Sequence, residues 1–159
     1  MLPRKLLPAV LSACCLLTGI PCVAVADDLG ATPQLLANSG FEAGTGEAAS
    51  DWGLWPPTAS HQGVSSLRDR EAKHSGDHSG RLRVTDPAFE GICTWHHPAV
   101  PVTPGQELLL EYWSRAEGVT GSAGCDVQLR HGVQEIVGSR AAPEFKGSHD
   151  WTRTVHRFT

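Results

Sequence analysis

Between Gln106 and Arg115 the side chains alternate without a break: Leu108, Leu110, Tyr112 and Ser114 fall on one parity, Leu109, Glu111, Trp113 and Arg115 on the other. A period of two puts successive side chains on opposite faces of an extended chain, so this segment is predicted to be a half-buried strand. Cys125 to His131 repeats the pattern, with Cys125, Val127 and Leu129 opposed to Asp126, Gln128 and Arg130. Arg81 to Thr85 places Leu82 and Val84 inward; Ile92 to Trp95, Val133 to Val137 and Trp151 to Phe158 are further strand candidates. In the last, Thr154, His156 and Phe158 compete with Val155 for the inner face.

No stretch supports a helix of useful length. Gly and Pro occupy 28 of 159 positions, more than the roughly 12% of average chains. They punctuate the apolar runs at Pro104-Gly105, Gly118, Gly121, Gly124, Gly138 and Gly147, which are read as turns. The fold class expected is all-β, an antiparallel sandwich or barrel. The formal charge of -4 excludes a basic nucleic-acid binder.

Residues 1–26 read as a secretory signal peptide: Arg4 and Lys5, an apolar stretch from Leu6 to Val25, then Ala24-Val25-Ala26 before Asp27. Pro8, Gly19 and Pro21 interrupt the apolar run and argue against a membrane span. Leu11-Ser12-Ala13-Cys14 offers a second reading, a lipobox with Cys14 acylated. The expected location is secreted or periplasmic/extracellular. Without the leader, 133 residues remain, enough for one core, with 11 basic against 17 acidic side chains and only Cys93 and Cys125 of the five cysteines. An oxidising compartment favours a Cys93–Cys125 disulfide over a metal half-site; two free buried thiols are the alternative.

Asn38-Ser39-Gly40-Phe41-Glu42, Trp52, His78-Ser79-Gly80-Arg81-Leu82-Arg83-Val84, Val102-Thr103-Pro104-Gly105, Tyr112-Trp113, Ala116-Glu117-Gly118 and Asp150-Trp151 to Phe158-Thr159 follow one another along the chain. This succession resembles secreted carbohydrate-binding modules of the family 4, 9 and 22 type. The resemblance implies a galactose-binding-like β-sandwich of jelly-roll topology over residues 38–159, with 27–37 as a lead-in. It also implies about two further strands after Thr159, so that the module is expected to be incomplete at its C-terminus. Modules of this type often hold one structural calcium near the N-terminal motif, which Glu42 matches; no other cofactor is required.

Sugar recognition uses flat apolar faces that stack on pyranose rings, and planar polar groups that bridge hydroxyls. The residues of that type on predicted non-core faces are Trp113, Glu111, Arg115, Gln128 and Arg130, and they form one patch if their strands are neighbours. Trp55, in a Gly/Pro-rich loop, is a candidate for the rim, whereas Trp52 and Trp151 are read as packing residues. His74, Asp77 and His78, or His96 and His97, do not have legible zinc spacing. Glu111 and Asp126 would be the carboxylates of a glycosidase, but nothing in the sequence pairs them. The expected function is non-catalytic binding of a polysaccharide or oligosaccharide, as an accessory module of a secreted glycoside hydrolase or surface protein. The alternative is a structural or protein-interaction sandwich without a sugar site.

Overall fold

The computed structural model describes residues 33–55, 63–131 and 135–159, together with the backbone of 9–15. The described residues form strands and no helix, so none of them builds a helix long and apolar enough to cross a membrane. Every strand pairing is antiparallel.

The largest sheet contains β1 (Ala9–Cys15), β4 (Gly53–Trp55), β7 (Thr94–His96), β8 (Val100–Val102), β10 (Cys125–His131) and β11 (Glu135–Ala141), in the order β11-β10-β1-β7-β4 with β8 beside β1. β9 (Leu108–Ala123) and β12 (Phe145–Phe158) form a long two-stranded ribbon. β2 (Gly44–Thr45) with β3 (Ala48–Ala49), and β5 (Val64–Asp69) with β6 (Ser79–Val84), are hairpin pairs. One core joins the layers: Trp95, Val102, Cys125 and Val127 from the large sheet meet Leu108, Leu110, Tyr112 and Phe158 from the ribbon.

Alternation decided the ribbon. Leu108, Leu110, Tyr112 and Ser114 are all buried, as expected. In β12 the inner face goes to Phe158, His156 and Thr154, which lie opposite Leu108, Leu110 and Tyr112, while Val155 pairs with Glu111 and is exposed. Pro104-Gly105 makes its turn, with Gly105 at φ 80° and Gln106 N–H bonded to Thr103 O at 3.0 Å.

Other expectations need correction. Gly118 and Gly121 do not end a strand but lie inside β9, and Gly147 lies inside β12. Gly118 and Gly147 have φ of 63° and 76°, and the ladder shifts register around Gly147, so they serve bulges that bend one continuous ribbon. Gly138 likewise sits within β11, opposite a register shift at Leu129/Arg130. Val84, at the open end of the β5–β6 hairpin, is exposed rather than inward, and Ile92 precedes β7 and is exposed too.

Residues 9–15 belong to the stretch read as a leader, and here they form an inner strand whose partners include β10 along its whole length. The cleavage motif Ala24-Val25-Ala26, the prolines Pro56 and Pro57, and Val133 lie outside the described residues.

Phe41 and Tyr112 are the most enclosed aromatics among the described residues, and Phe41 is stacked on Trp52 at 4.7 Å and edge-on to Trp95 at 5.6 Å. Truncating such a side chain removes its transfer free energy and leaves a cavity, at a cost of about 3–5 kcal/mol. Thermal melts should therefore show Phe41→Ala lowering Tm by about 10 °C or more. Val155→Ala, on the exposed side of the ribbon, should stay within about 0.5 kcal/mol of the parent.

Candidate functional site

Residues directly opposite in an antiparallel ladder point to the same side of the sheet. In the large sheet Trp55 faces Thr94, Gly53 faces His96, and Ser139 faces Gln128. Through β1, His96 is in register with Cys14, and Cys14 with Asp126. Trp55, His96, Asp126, Gln128 and Arg130 therefore share the face away from Trp95 and Val127. Gly53 is needed there, because a Cβ at this position would stand 2.5 Å from the His96 ring. Trp55 is 61% exposed at the edge of the sheet.

This face is polar and partly self-satisfied. Arg130 Nη2 donates to Gln128 Oε1 at 2.7 Å, and Ser139 donates to Asp126 across β10 and β11. Burial, then the charges of Arg130 and His97, hold the His96 imidazole below its ordinary pKa of 6.5. The face carries an exposed indole at its β4 edge, a neutral imidazole on the next strand, and an amide and a guanidinium on β10 two strands further in, all able to bond hydroxyl groups.

The other three expected residues are elsewhere. β9 pairs with β12 and not with β10, so Glu111, Trp113 and Arg115 lie on the outer face of the ribbon rather than beside Gln128 and Arg130. Glu111 is only 3% exposed and accepts a 2.7 Å bond from Arg153 Nε. Trp113 is half-buried under His74, stacked at 3.9 Å, with the half-buried Trp151 contacting the same imidazole edge-on. Arg115 lines a shallow depression with Glu117, His149 and Asp150. The single patch anticipated from alternation is thus two separate sets of three. Glu111 and Asp126 likewise lie on different sheets.

Glu42 binds protein groups. Its Oε1 accepts from the Asp77 N–H at 3.0 Å and the His78 N–H at 3.4 Å, and its Oε2 accepts from His78 Nδ1 at 3.0 Å. Gly76 lies against Glu42 Oε1 with its backbone at φ 65°, a left-handed conformation that favours glycine. Among the described residues no three His, Cys, Asp or Glu side chains converge as a metal-ligand set. The opposite ring nitrogen, His78 Nε2, accepts from Arg68 Nη2 at 2.6 Å and Arg70 Nε at 2.9 Å. Sequence reasoning named His78 in the succession of motifs and as a metal candidate, and missed this chain of partners. The signal was the apolar-to-basic switch Leu67-Arg68-Asp69-Arg70 at the end of a strand.

Cys93 and Cys125 are both buried and no disulfide joins them, so the expected bridge is not formed. The reason is spacing. Cys125 and Trp95 both pair with Cys15, so β1 separates β10 from β7, the strand that Cys93 immediately precedes, by two interstrand steps of about 4.8 Å, beyond the roughly 7 Å that a disulfide spans. Burial pushes the Cys93 thiol pKa up and leaves it a poor nucleophile.

Comparison of the chain with family models, with curated proteins and with solved structures gives no match.

Two pH dependences follow from the shifted groups. His96 has a folded pKa below 6.5, so its contribution to stability is complete above pH 6.5 and is lost as pH falls from there toward the folded value. Burial raises the Glu42 pKa, but bonds from His78 and the Asp77 and His78 backbone outweigh it and hold the carboxyl below 4.5. Its contribution is present above pH 4.5 and is lost as pH falls through the folded value. Urea titrations should show the parent losing stability on acidification in both windows, with the first loss reduced in His96→Gln and the second in Glu42→Gln. Parallel pH profiles for parent and variants would refute these assignments.

Proposed function

We propose that the protein binds a polysaccharide or oligosaccharide chain on the outer face of the large sheet, without performing chemistry on it. The observation that carries this reading is the shared face of Trp55, His96, Gln128 and Arg130, given by strand register. Trp55 supplies the stacking surface at the edge, and Gln128, Arg130 and Asp126 supply planar or bidentate hydrogen bonding further in. A sheet holds these groups at fixed spacing, which reduces the ordering entropy of binding an extended chain.

Within this reading the sandwich has the jelly-roll, galactose-binding-like topology implied by the sequence resemblance. The module serves a secreted glycoside hydrolase or a surface protein by keeping it near its substrate, in a form that retains residues 9–15, because β1 joins β7 to β10 in this face. Trp113 and Glu111 then act as structural residues of the ribbon, and Trp55 takes the stacking role.

Affinity electrophoresis of the full chain through gels containing β-glucan, xylan or mannan tests the proposal. Retardation in at least one gel is expected. Trp55→Ala should weaken it by about fivefold, equivalent to about 1 kcal/mol of lost aromatic contact, and Val155→Ala should not change it. Unretarded migration in every gel would favour a protein-interaction sandwich instead, for which the exposed Ile136 and Val137 on edge strand β11 supply an apolar strip.

A further inference from the structure

The connection from β5 to β6 builds a second, chemically different concavity. Arg70, Lys73, Asp77 and His78 line a cavity of about 330 Å³, within the size range of small-ligand sites. Its floor is His78, only 7% exposed in its side chain and fixed on both ring nitrogens. Because Nε2 accepts from two arginines, His78 offers the cavity no proton from that atom.

Arg70 uses its Nε to reach His78, which fixes the guanidinium plane and leaves the Nη1/Nη2 edge without a protein partner among the described residues. That edge is the fork that binds a carboxylate with two parallel hydrogen bonds. Lys73 has no hydrogen-bond or ion-pair partner among the described residues and stands on the same cavity. Behind His78, Arg68 is buried with an unpartnered Nε. Around the connection Arg68, Arg70, Lys73 and Arg81 are matched in number by Glu42, Asp69, Glu71 and Asp77, with Asp69 taken by Arg81 at 2.9 Å, so an anion here would be held by the Arg70 fork and Lys73 directly and not by a net charge of the cluster.

The loop is held before any ligand arrives. His74 stacks on Trp113, Glu71 N–H bonds Asp69 Oδ1 at 2.9 Å, Ser79 Oγ bonds Ala72 O, and Glu42 ties down Asp77 and His78. Rigid placement of this kind reduces the entropy lost on binding. Asp77 repels a bare anion but accepts a hydroxyl proton. The combination of fork, ammonium and carboxylate therefore fits a ligand that has an anionic group next to hydroxyls.

We propose that this pocket binds an acidic sugar residue, a uronate, with its carboxylate on Arg70 and Lys73 and a ring hydroxyl on Asp77. The site is separate from the face bearing Trp55 and does not depend on it.

Isothermal titration of the full chain with trigalacturonate tests this, using as comparators the same oligosaccharide with its carboxyls reduced to alcohols, and sodium sulfate. Trigalacturonate should bind with an affinity that falls as salt is raised, and any binding of the reduced oligosaccharide, which can engage only the Trp55 face, should show neither that salt dependence nor weakening by Lys73→Gln. Arg70→Gln and Lys73→Gln should each weaken binding about tenfold, as expected for one charge-assisted contact. Lys73→Gln touches no protein group and should leave the melting curve unchanged, so its loss of binding cannot be a loss of fold. Val155→Ala, on the exposed side of the ribbon, should bind trigalacturonate like the parent. Salt-dependent binding of the reduced oligosaccharide, or undiminished binding of trigalacturonate by Lys73→Gln, would overturn the proposal. Competition by sulfate as strong as by trigalacturonate would reduce the pocket to a site for an adventitious ion only.

Discussion

The Phe41 side chain is the contact on which the remaining packing depends. Its ring lies between Trp52 and Trp95, and it reaches that position from a backbone at φ 59°, a conformation that costs a non-glycine residue of order 1–3 kcal/mol. Asn38 holds the bend. Its amide donates to Ala43 O and Ser50 O, its Oδ1 accepts from Ala43 N–H, and its own carbonyl accepts from both Phe41 N–H and Trp52 Nε1. Gly80 completes the seat, since a Cβ there would stand 2.5 Å from the Phe41 ring. The next residue, Glu42, is thereby aimed at His78, so one pentapeptide sets both the aromatic core and the loop bearing the basic cavity.

Around that centre the charged groups are matched rather than excluded. Asp69 meets Arg81 at 2.9 Å, Glu111 meets Arg153 at 2.7 Å, and both carboxylates are nearly enclosed while their arginines extend toward solvent. Buried carboxylates tolerate this position only with a close donor. The basic cavity differs because its arginines meet an imidazole, and the balancing carboxylate lies on that ring's far side. Charge is satisfied through an intermediary there, which leaves capacity for a further anion.

Local periodicity made the strands legible and left their partners unread. Leu108, Leu110 and Tyr112 were assignable to the core because alternation is a property of one strand. That Glu111 and Gln128 occupy different sheets depends on β9 choosing β12 over the adjacent β10, which follows from register and tertiary packing. Gly118 and Gly147 misled for a related reason: the same left-handed backbone serves turns and bulges, and only the partner strand distinguishes them. Trp55 was found because a Trp beside Pro56 has little chance of full burial. His96 was missed because its parity opposite Trp95 was not followed across the sheet. The Glu42–His78 contact spans 36 residues, and no local pattern announces it.

The interactions that define the fold share one property, large separation along the chain. Leu108 waits for Phe158, Glu42 for His78, Phe41 for Trp95, and the strand Ala9–Cys15 for Cys125–His131. Chains dominated by such pairings must close long loops before any contact rewards them, and they fold in milliseconds to seconds rather than microseconds. In a nascent chain emerging from its N-terminus, the large sheet therefore has to await residues near 131 and the ribbon those near 158. Until then, the apolar faces of β7 and β9 are open to the solvent and to each other, which makes assembly a late and concerted event.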